Sequence, residues 1–331
     1  MTLEKDGPAD TRARQAPTRG EPSRAPAAAR RLLVVFNPTA GWGQHQRLRA
    51  VLKELSKLGC VVRLRETSGP GDAESLARQA SGKAAEFDAV VAAGGDGTVN
   101  EMVNGLGMSG KPLGLIPLGT ANVLAREIGQ DLEPRAVART LAFGPLLEAS
   151  VGEANDRKFL LMAGVGFDAR AVADVNIDVK RQLGKGAYIL AGLKNLLRGG
   201  FARYAVRIDG VEHEAYSVII ANARSYGGAY VIAPDARLER PVFEVCLFQI
   251  PGRMAVIRYA LALKFGWLPR ARGFRIVPGR EVDVTFDEAQ PPADEPIQGD
   301  GDVLTRMPLS ARIVPNALRL IVPEDYPAAR G

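Results

Sequence analysis

The stretch VVAAGGDGTVNEMVNGL, Val90 to Leu106, ends a run of small apolar residues on two glycines, an aspartate, a third glycine and a threonine. Val99, Met102, Val103 and Leu106 then fall at i, i+3, i+4 and i+7, the stripe of an amphipathic helix. Asp96-Gly97 alone would suggest a hairpin, but a hairpin needs a second strand, and the residues that follow have helical period. The turn therefore joins strand to helix at the carboxyl end of a parallel strand, where open α/β sheets bind ligands. Gly94, Gly95 and Gly97 lack Cβ atoms, so the backbone can take positive φ and let a phosphate approach its N–H groups. Thr98 is placed to cap the helix, whose N-terminus favours anions. Asp96 is the informative residue. A carboxylate beside a polyphosphate is repulsive unless Mg²⁺ lies between them or a proton is to be accepted. Asn100 and Asn104 are one turn apart, and Glu101 shares their polar side and can reach back toward the turn. On spacing alone, a solvated surface acid is an equal reading of Glu101.

Outward from this turn, the chain alternates strand and helix. LLVVF from Leu32 is a short apolar run, as in a strand covered on both faces. NPTAGWG is a turn, and RLRAVLKELSKLG carries Leu48, Val51, Leu52, Leu55 and Leu58 at helical spacing. Cys60–Leu64 reads as a strand, Asp72–Ser81 as a helix, Ala89–Ala93 as a strand, LGLIPL as a strand and Thr120–Ile128 as a helix. This rhythm predicts a doubly wound parallel sheet. After about Leu146 strand-like runs dominate: LLEASVG, KFLLMAGVG, YAVRIDG, AYSVIIAN, FEVCLFQI, FRIVPG, EVDVTF and ARIVPNALRLIV. Only Lys180–Arg198 and Met254–Trp267 look helical there, so a second, mostly antiparallel β domain is expected. Residues 1–30, rich in Pro, Ala, Arg and Gly, read as a disordered tail.

Composition narrows the function classes. The net charge of +6 over 331 residues points to anionic partners, but much of the excess lies in the tail. That tail has no aromatic interleaving, which argues against nucleic acid. Cys60 and Cys246 are far apart and fit a reducing cytoplasm; His45 and His213 lack the neighbours of a zinc site. No secretory signal or spanning run is visible, so any membrane contact should be peripheral. GLGMSGK at Gly105–Lys111 matches a P-loop only in part, with Pro112 where Ser or Thr belongs, and it follows a helix rather than a strand. GVGFDA at Gly164–Ala169 has no clear βαβ unit after it and is a weak dinucleotide fingerprint.

FNPTAG at Phe36–Gly41, GGDGTVNEMVNGL at Gly94–Leu106, IPLGTAN at Ile116–Asn122, GVGFDA, IAPDARL at Ile232–Leu238 and GDGD at Gly299–Asp302 occur in one order from residue 32 onward. In these motifs the chain resembles the diacylglycerol kinase catalytic superfamily, specifically its bacterial lipid kinases. The GGDGT core is shared with NAD kinases. The resemblance implies an ATP-binding α/β domain over residues 31–147, rejoined by residues 316–325, and a β-sandwich acceptor domain over 148–315. It implies that Asn37, Thr67, Gly94, Gly95, Asp96, Gly97, Thr98, Val99, Asn100, Glu101 and Thr120 line the nucleotide site. Asp96 would meet the catalytic Mg²⁺, directly or through water. Asp300 would be the general base, with Asp302 standing where the family has Glu, one methylene longer. The family's loop after IAPDA holds a structural Mg²⁺; here Asp235 and Glu239 could coordinate it, but Arg240 puts a positive charge beside them. Val123 follows GTAN where many members have Asp.

The expected function is an ATP- and Mg²⁺-dependent lipid kinase acting on a lipid hydroxyl at a membrane surface, most simply that of diacylglycerol. A GGDGT kinase with a soluble acceptor such as NAD is the alternative, and a nucleotide-responsive binding protein without turnover is a third reading. The basic, partly apolar stretches Lys180–Arg198 and Pro251–Arg275 suit either an anionic bilayer or a helix packed on the sandwich. The sequence leaves the oligomeric state open, a homodimer included.

Overall fold

A computed structural model describes residues 29–39, 43–82, 86–173, 201–228, 230–287 and 294–327. The predicted tail, but for its last two residues, and the predicted helix at Lys180–Arg198 lie outside them.

The first half is built from β1 (Arg31–Phe36), α1 (Gln44–Lys57), β2 (Val61–Glu66), α2 (Asp72–Ser81), β3 (Ala89–Gly94), α3 (Asp96–Leu106), β4 (Leu113–Pro117), α4 (Val123–Glu127) and α5 (Pro134–Phe143). The four strands lie parallel in the order β2-β1-β3-β4. Alternate residues of each strand feed opposite cores. Leu32, Val34 and Phe36 meet Leu48, Val51 and Leu55 of α1 and Val137 and Leu141 of α5. Leu33 and Val35 face Ala73 and Ala77 of α2 and Met102 and Val103 of α3. Helices thus cover both faces, which is why these strands read as unbroken apolar runs. At the edge, β2 is mostly exposed and carries Arg63, Arg65 and Glu66, charges that discourage pairing with another chain.

The remaining elements are β5 (Leu146–Ala154), β6 (Arg157–Phe159), β7 (Met162–Val165), α6 (Phe167–Ala173), β8 (Tyr204–Ile208), β9 (Val211–Ala215), β10 (Ser217–Ala221), β11 (Ser225–Tyr226), β12 (Tyr230–Val231), β13 (Phe243–Phe248), α7 (Arg253–Lys264), β14 (Phe274–Gly279), β15 (Glu281–Phe286), β16 (Pro296–Gly299), β17 (Asp302–Arg306) and β18 (Leu309–Ile321). An antiparallel sheet runs β14-β13-β10-β7-β16-β17. Its inner face shares a core with β8, β15 and the start of β18: Val218, Val245 and Ile297 pack with Val206, Val284 and Leu309. This is the sandwich.

β18 joins the halves. Its start pairs antiparallel with β15, and near its end Leu320 pairs parallel with Leu113 of β4. The parallel sheet therefore continues through β18 into β15-β8-β9 as one ten-stranded sheet.

Several expectations need adjusting. α4 is shorter than the Thr120–Ile128 helix predicted, because Asn122 sits at φ 47° and delays the helix to Val123. KFLLMAGVG is two strands, broken at Leu160–Leu161. α5 and α6 were not foreseen. Glu133 caps α5 by accepting from the Ala136 N–H (3.0 Å), with Pro134 at the first position, where it needs no donor.

Candidate functional site

The carboxyl ends of the parallel strands carry the predicted turn. α3 starts directly after β3, with Gly95 as its N-cap residue and no side chain capping it. The glycines serve close approach rather than unusual backbone: none of Gly94, Gly95 and Gly97 has positive φ. A Cβ on Gly94 would lie 2.4 Å from Thr98 Oγ1. One on Gly119, in the neighbouring loop after β4, would lie 2.5 Å from Gly95 Cα. A Cβ on Gly97 would lie 2.9 Å from Asp302 Oδ2. The two glycine turns and the Gly299–Asp302 turn thus pack together only because side chains are missing. Behind the turn, Gly94, Asp96, Val99 and Leu124 enclose only about 10 Å³, too little room for a phosphate.

Thr98 does not cap α3. It lies inside the first turn, is buried, and its Oγ1 accepts from Asn37 Nδ2 (3.3 Å). Asn37 Oδ1 in turn accepts from the Thr39 N–H (3.0 Å). The Thr67 N–H donates to the Phe36 carbonyl (2.9 Å), which sets Thr67 beside Asn37 at the ends of β2 and β1. Val99 spends its N–H on the Gly95 carbonyl (3.2 Å) within the helix. Thr120 is exposed on the loop held by Asn122, whose Oδ1 accepts from the Gly119 N–H (2.8 Å).

Asp96 Oδ1 accepts from the Val123 N–H (2.7 Å), so the residue caps the start of α4 while facing the turn. Burial pushes its carboxyl above the ordinary range, and the nearby Asp300 charge adds to that. Oδ1 is thus engaged at α4. One carboxylate beside substrate phosphates suits Mg²⁺, which commonly takes one or two protein acids and keeps its waters. Among the described residues no group of three His, Cys, Asp or Glu side chains could hold a metal alone.

Glu101 does something neither expectation foresaw. Oε1 accepts from the Gly71 N–H (3.0 Å) and Oε2 from the Ala73 N–H (3.1 Å), so it caps α2 from across the α2–α3 interface. It does not reach the turn. Asn100 and Asn104 bind the other half of the protein: both donate to the Lys158 carbonyl, and Asn104 Oδ1 accepts from the Lys158 N–H (2.9 Å).

Asn100 Nδ2 also donates to Asp300 Oδ2 (2.9 Å). That oxygen accepts from the Leu160 N–H as well (2.7 Å), while Oδ1 accepts from Leu161 (2.8 Å) and Met162 (3.1 Å). The break between β6 and β7 points these three N–H groups at one carboxylate. Both oxygens have their acceptor sites filled. Burial raises the Asp300 carboxyl above its usual range, and the four donors pull against that rise. For Asp300 to take a substrate proton, one of these four donors must give way. Asp302, two residues on, is exposed and lies against Gly97. A further link was not legible in sequence: Gln298 Nε2 donates to the buried Asp168 (2.7 Å), Gln298 Oε1 accepts from the Gly301 N–H (3.2 Å), and Tyr226 OH donates to Asp168. The Asp168 of GVGFDA thereby braces the Asp300–Asp302 turn.

The second metal loop does not fit a divalent ion. Arg240 Nη1 donates to the Asp235 carbonyl (3.1 Å) and lies 3.9 Å from Glu244 Oε1. Glu239 Oε2 accepts from Tyr326 OH (3.1 Å). A guanidinium already supplies the positive charge there, and Glu239 is turned to another partner.

Residues 31–154 match the diacylglycerol kinase catalytic domain, and residues 162–322 match the YegS C-terminal NAD kinase beta sandwich-like domain. A Pseudomonas aeruginosa protein named "Probable lipid kinase YegS-like" is 31% identical over 90% of this chain and 96% of its own length. A Bacillus subtilis protein named "Diacylglycerol kinase" is 32% identical over 70% of this chain and 78% of its own. The crystal structure of a "putative diacylglycerol kinase" from Bacillus anthracis str. Sterne shares the fold, with a TM-score of 0.77 at 22% identity over 93% of this chain and 99% of that one. An α/β domain with a glycine turn at its strand ends, a sandwich that brings two acids to that turn, and relatives that span the whole architecture lead to one conclusion: this chain belongs to the diacylglycerol kinase/YegS-like family of lipid kinases, phosphotransferases with an alcohol group as acceptor.

Proposed function

We propose that the protein transfers the γ-phosphoryl group of ATP to the hydroxyl of diacylglycerol, giving phosphatidic acid, at the cytoplasmic face of a membrane. The observation that carries this reading is the meeting of the uncapped α3 N-terminus with the Gly299–Asp302 turn, where Asp302 Oδ2 lies against Gly97. Residues 31–147, with 316–325 returning, would form the nucleotide half, and 148–315 the acceptor half.

In this reading the N–H groups at Gly95–Thr98, with Asn37, Thr67 and Thr120 around them, hold the triphosphate. Asp96 would hold a Mg²⁺, which would supply charge neutralisation on the phosphates. The acceptor oxygen attacks the γ-phosphorus in line, the bond to the β–γ bridging oxygen breaks, and ADP carries away that electron pair. Asp302 takes the hydroxyl proton. Asp300 is a positioning residue: it fixes the β6–β7 break and, through Asn100, ties the acceptor half to α3. Gly97, lacking a Cβ, admits the shorter Asp302 side chain close to the start of α3.

Diacylglycerol is favoured by the name of the Bacillus subtilis relative. The description of the C-terminal domain keeps NAD as the second acceptor to examine. Labelled ATP with a panel of purified lipids and NAD separates them. The expected product is phosphatidic acid; label appearing only in NADP would overturn the lipid reading.

A further inference from the structure

α7 lies on the outer side of the sandwich. Ala255, Tyr259 and Ala262 face inward, and Tyr259 packs edge-on to Phe248 (5.1 Å between centroids) and donates to the Gly273 carbonyl (2.8 Å). The rest of the helix does not resemble an ordinary surface. Met254, Ile257, Leu261 and Phe265 recur at i, i+3, i+7 and i+11 and are 76%, 39%, 51% and 57% exposed; Trp267, just beyond, is 65% exposed. Monomeric proteins seldom leave so many large apolar groups in one row. Tyr230 and Val231 of β12, which packs on α7, are also exposed and extend the patch.

Within the segment that carries this row, the charge has one sign. From Pro251 to Arg275 there is no Asp or Glu, while Arg253, Arg258, Lys264, Arg270, Arg272 and Arg275 are all present. Arg258, Ala262, Trp267, Arg270 and Ala271 line an open groove of about 540 Å³ beside the ridge. Arg258 is held by donating to the Arg272 carbonyl (2.8 Å), and Lys264 lies over the Phe265 ring (5.7 Å).

We infer that the α7 face, with the Arg258–Arg270 groove, is a docking surface for an anionic lipid bilayer: Met254, Leu261, Phe265 and Trp267 enter the interface and the arginines meet lipid phosphates. An amphipathic helix with apolar groups on one face and cations at its flanks lies in the headgroup plane. A second copy of the chain is disfavoured, since a two-fold contact on this face would set its cations against the same cations. The docked face also connects to the candidate site. β12 is the hairpin partner of β11, whose Tyr226 donates to Asp168, the brace of the Asp300–Asp302 turn.

The inference gives the lipid-kinase reading its membrane geometry and rests on that reading for its purpose, but binding can be measured without nucleotide or turnover. The full chain is sedimented with phosphatidylcholine vesicles containing either no or about one-third phosphatidylglycerol. The expected result is binding to the anionic vesicles, at least tenfold weaker binding to the neutral ones, and weakening by high salt. Leu261→Glu and Arg270→Glu should each reduce binding at least tenfold while melting like the wild type. In a Trp42→Phe background, Trp267 emission should shift to the blue on binding. Equal binding to neutral vesicles, full binding by both variants, or a concentration-dependent dimer that Leu261→Glu dissociates would overturn the inference. Vesicle binding as described with no phosphorylated lipid would leave the surface standing and sink the acceptor assignment instead.

Discussion

Asparagine substitution at two aspartates two residues apart should give opposite phenotypes. Each Asp300 oxygen accepts two N–H groups: Leu161 and Met162 at Oδ1, Leu160 and Asn100 at Oδ2. In Asp300→Asn an NH₂ replaces one oxygen. Whichever way the amide turns, two enclosed donors lose their acceptor. At about 1–3 kcal/mol for each unsatisfied group, the loss is about 2–6 kcal/mol. That is a large part of a total stability of about 5–15 kcal/mol. It should appear as a fall in Tm of roughly 3–10 °C. Asp302 is exposed, so Asp302→Asn should lower the Tm less than Asp300→Asn does. Its kcat should nevertheless fall by about 10²–10⁴-fold, the usual worth of a general base. Thermal denaturation and single-turnover phosphorylation, run on both variants, read the two effects separately. If Asp300→Asn melts like the wild type and loses only turnover, or Asp302→Asn turns over normally, the division of labour between the two acids is wrong.

Glu101→Ala should cost about 0.5–2 kcal/mol through the lost cap on α2 and leave the KM for ATP unchanged; a selective rise in that KM would return Glu101 to the nucleotide site. Removing divalent ions with EDTA should leave the Tm of the wild type unaltered, because Arg240 occupies the Asp235–Glu244 loop. Arg240→Ala should cost about 1 kcal/mol, and millimolar Mg²⁺ should recover part of it; an EDTA-sensitive wild type would refute the guanidinium's role. Burial holds the folded-state Asp168 carboxyl above its unfolded value. The stability from that group is therefore complete below the unfolded value, near about 3.9, and is lost as pH rises through the folded one. The Tm advantage of the wild type over Asp168→Asn should shrink as pH rises above the unfolded value; an advantage that grows with pH would contradict this.

What could be read from sequence was what is local. The unbroken apolar runs gave β1, β3 and β4, because a sheet covered on both faces needs nothing else. The glycine turn was placed correctly between β3 and α3, but its glycines were credited with backbone freedom. They provide closeness to Thr98, Gly119 and Asp302, contacts that span up to two hundred residues. Asp300 shows the same limit: its motif is legible, yet its four donors lie at Asn100 and at Leu160–Met162, and only the fold reveals that its lone pairs are spent. Glu101 looked like a site acid or a surface acid because its true partners, the Gly71 and Ala73 N–H groups, belong to another helix. α5 was missed although EPRAVARTLAF contained its signal: an acidic cap residue, a proline at the first position, and Val137, Ala138 and Leu141 at helical spacing.

The sharing of β18 has a consequence for how the protein comes off the ribosome. Synthesis runs from the N-terminus, and domains commonly fold as they emerge. Here the open edge of β4 and the open edge of β15 both wait for the same thirteen residues, Leu309–Ile321, which are translated after both of them. Nascent chains stalled before residue 309 should stay sensitive to protease throughout, and release of that one strand should protect both halves at once.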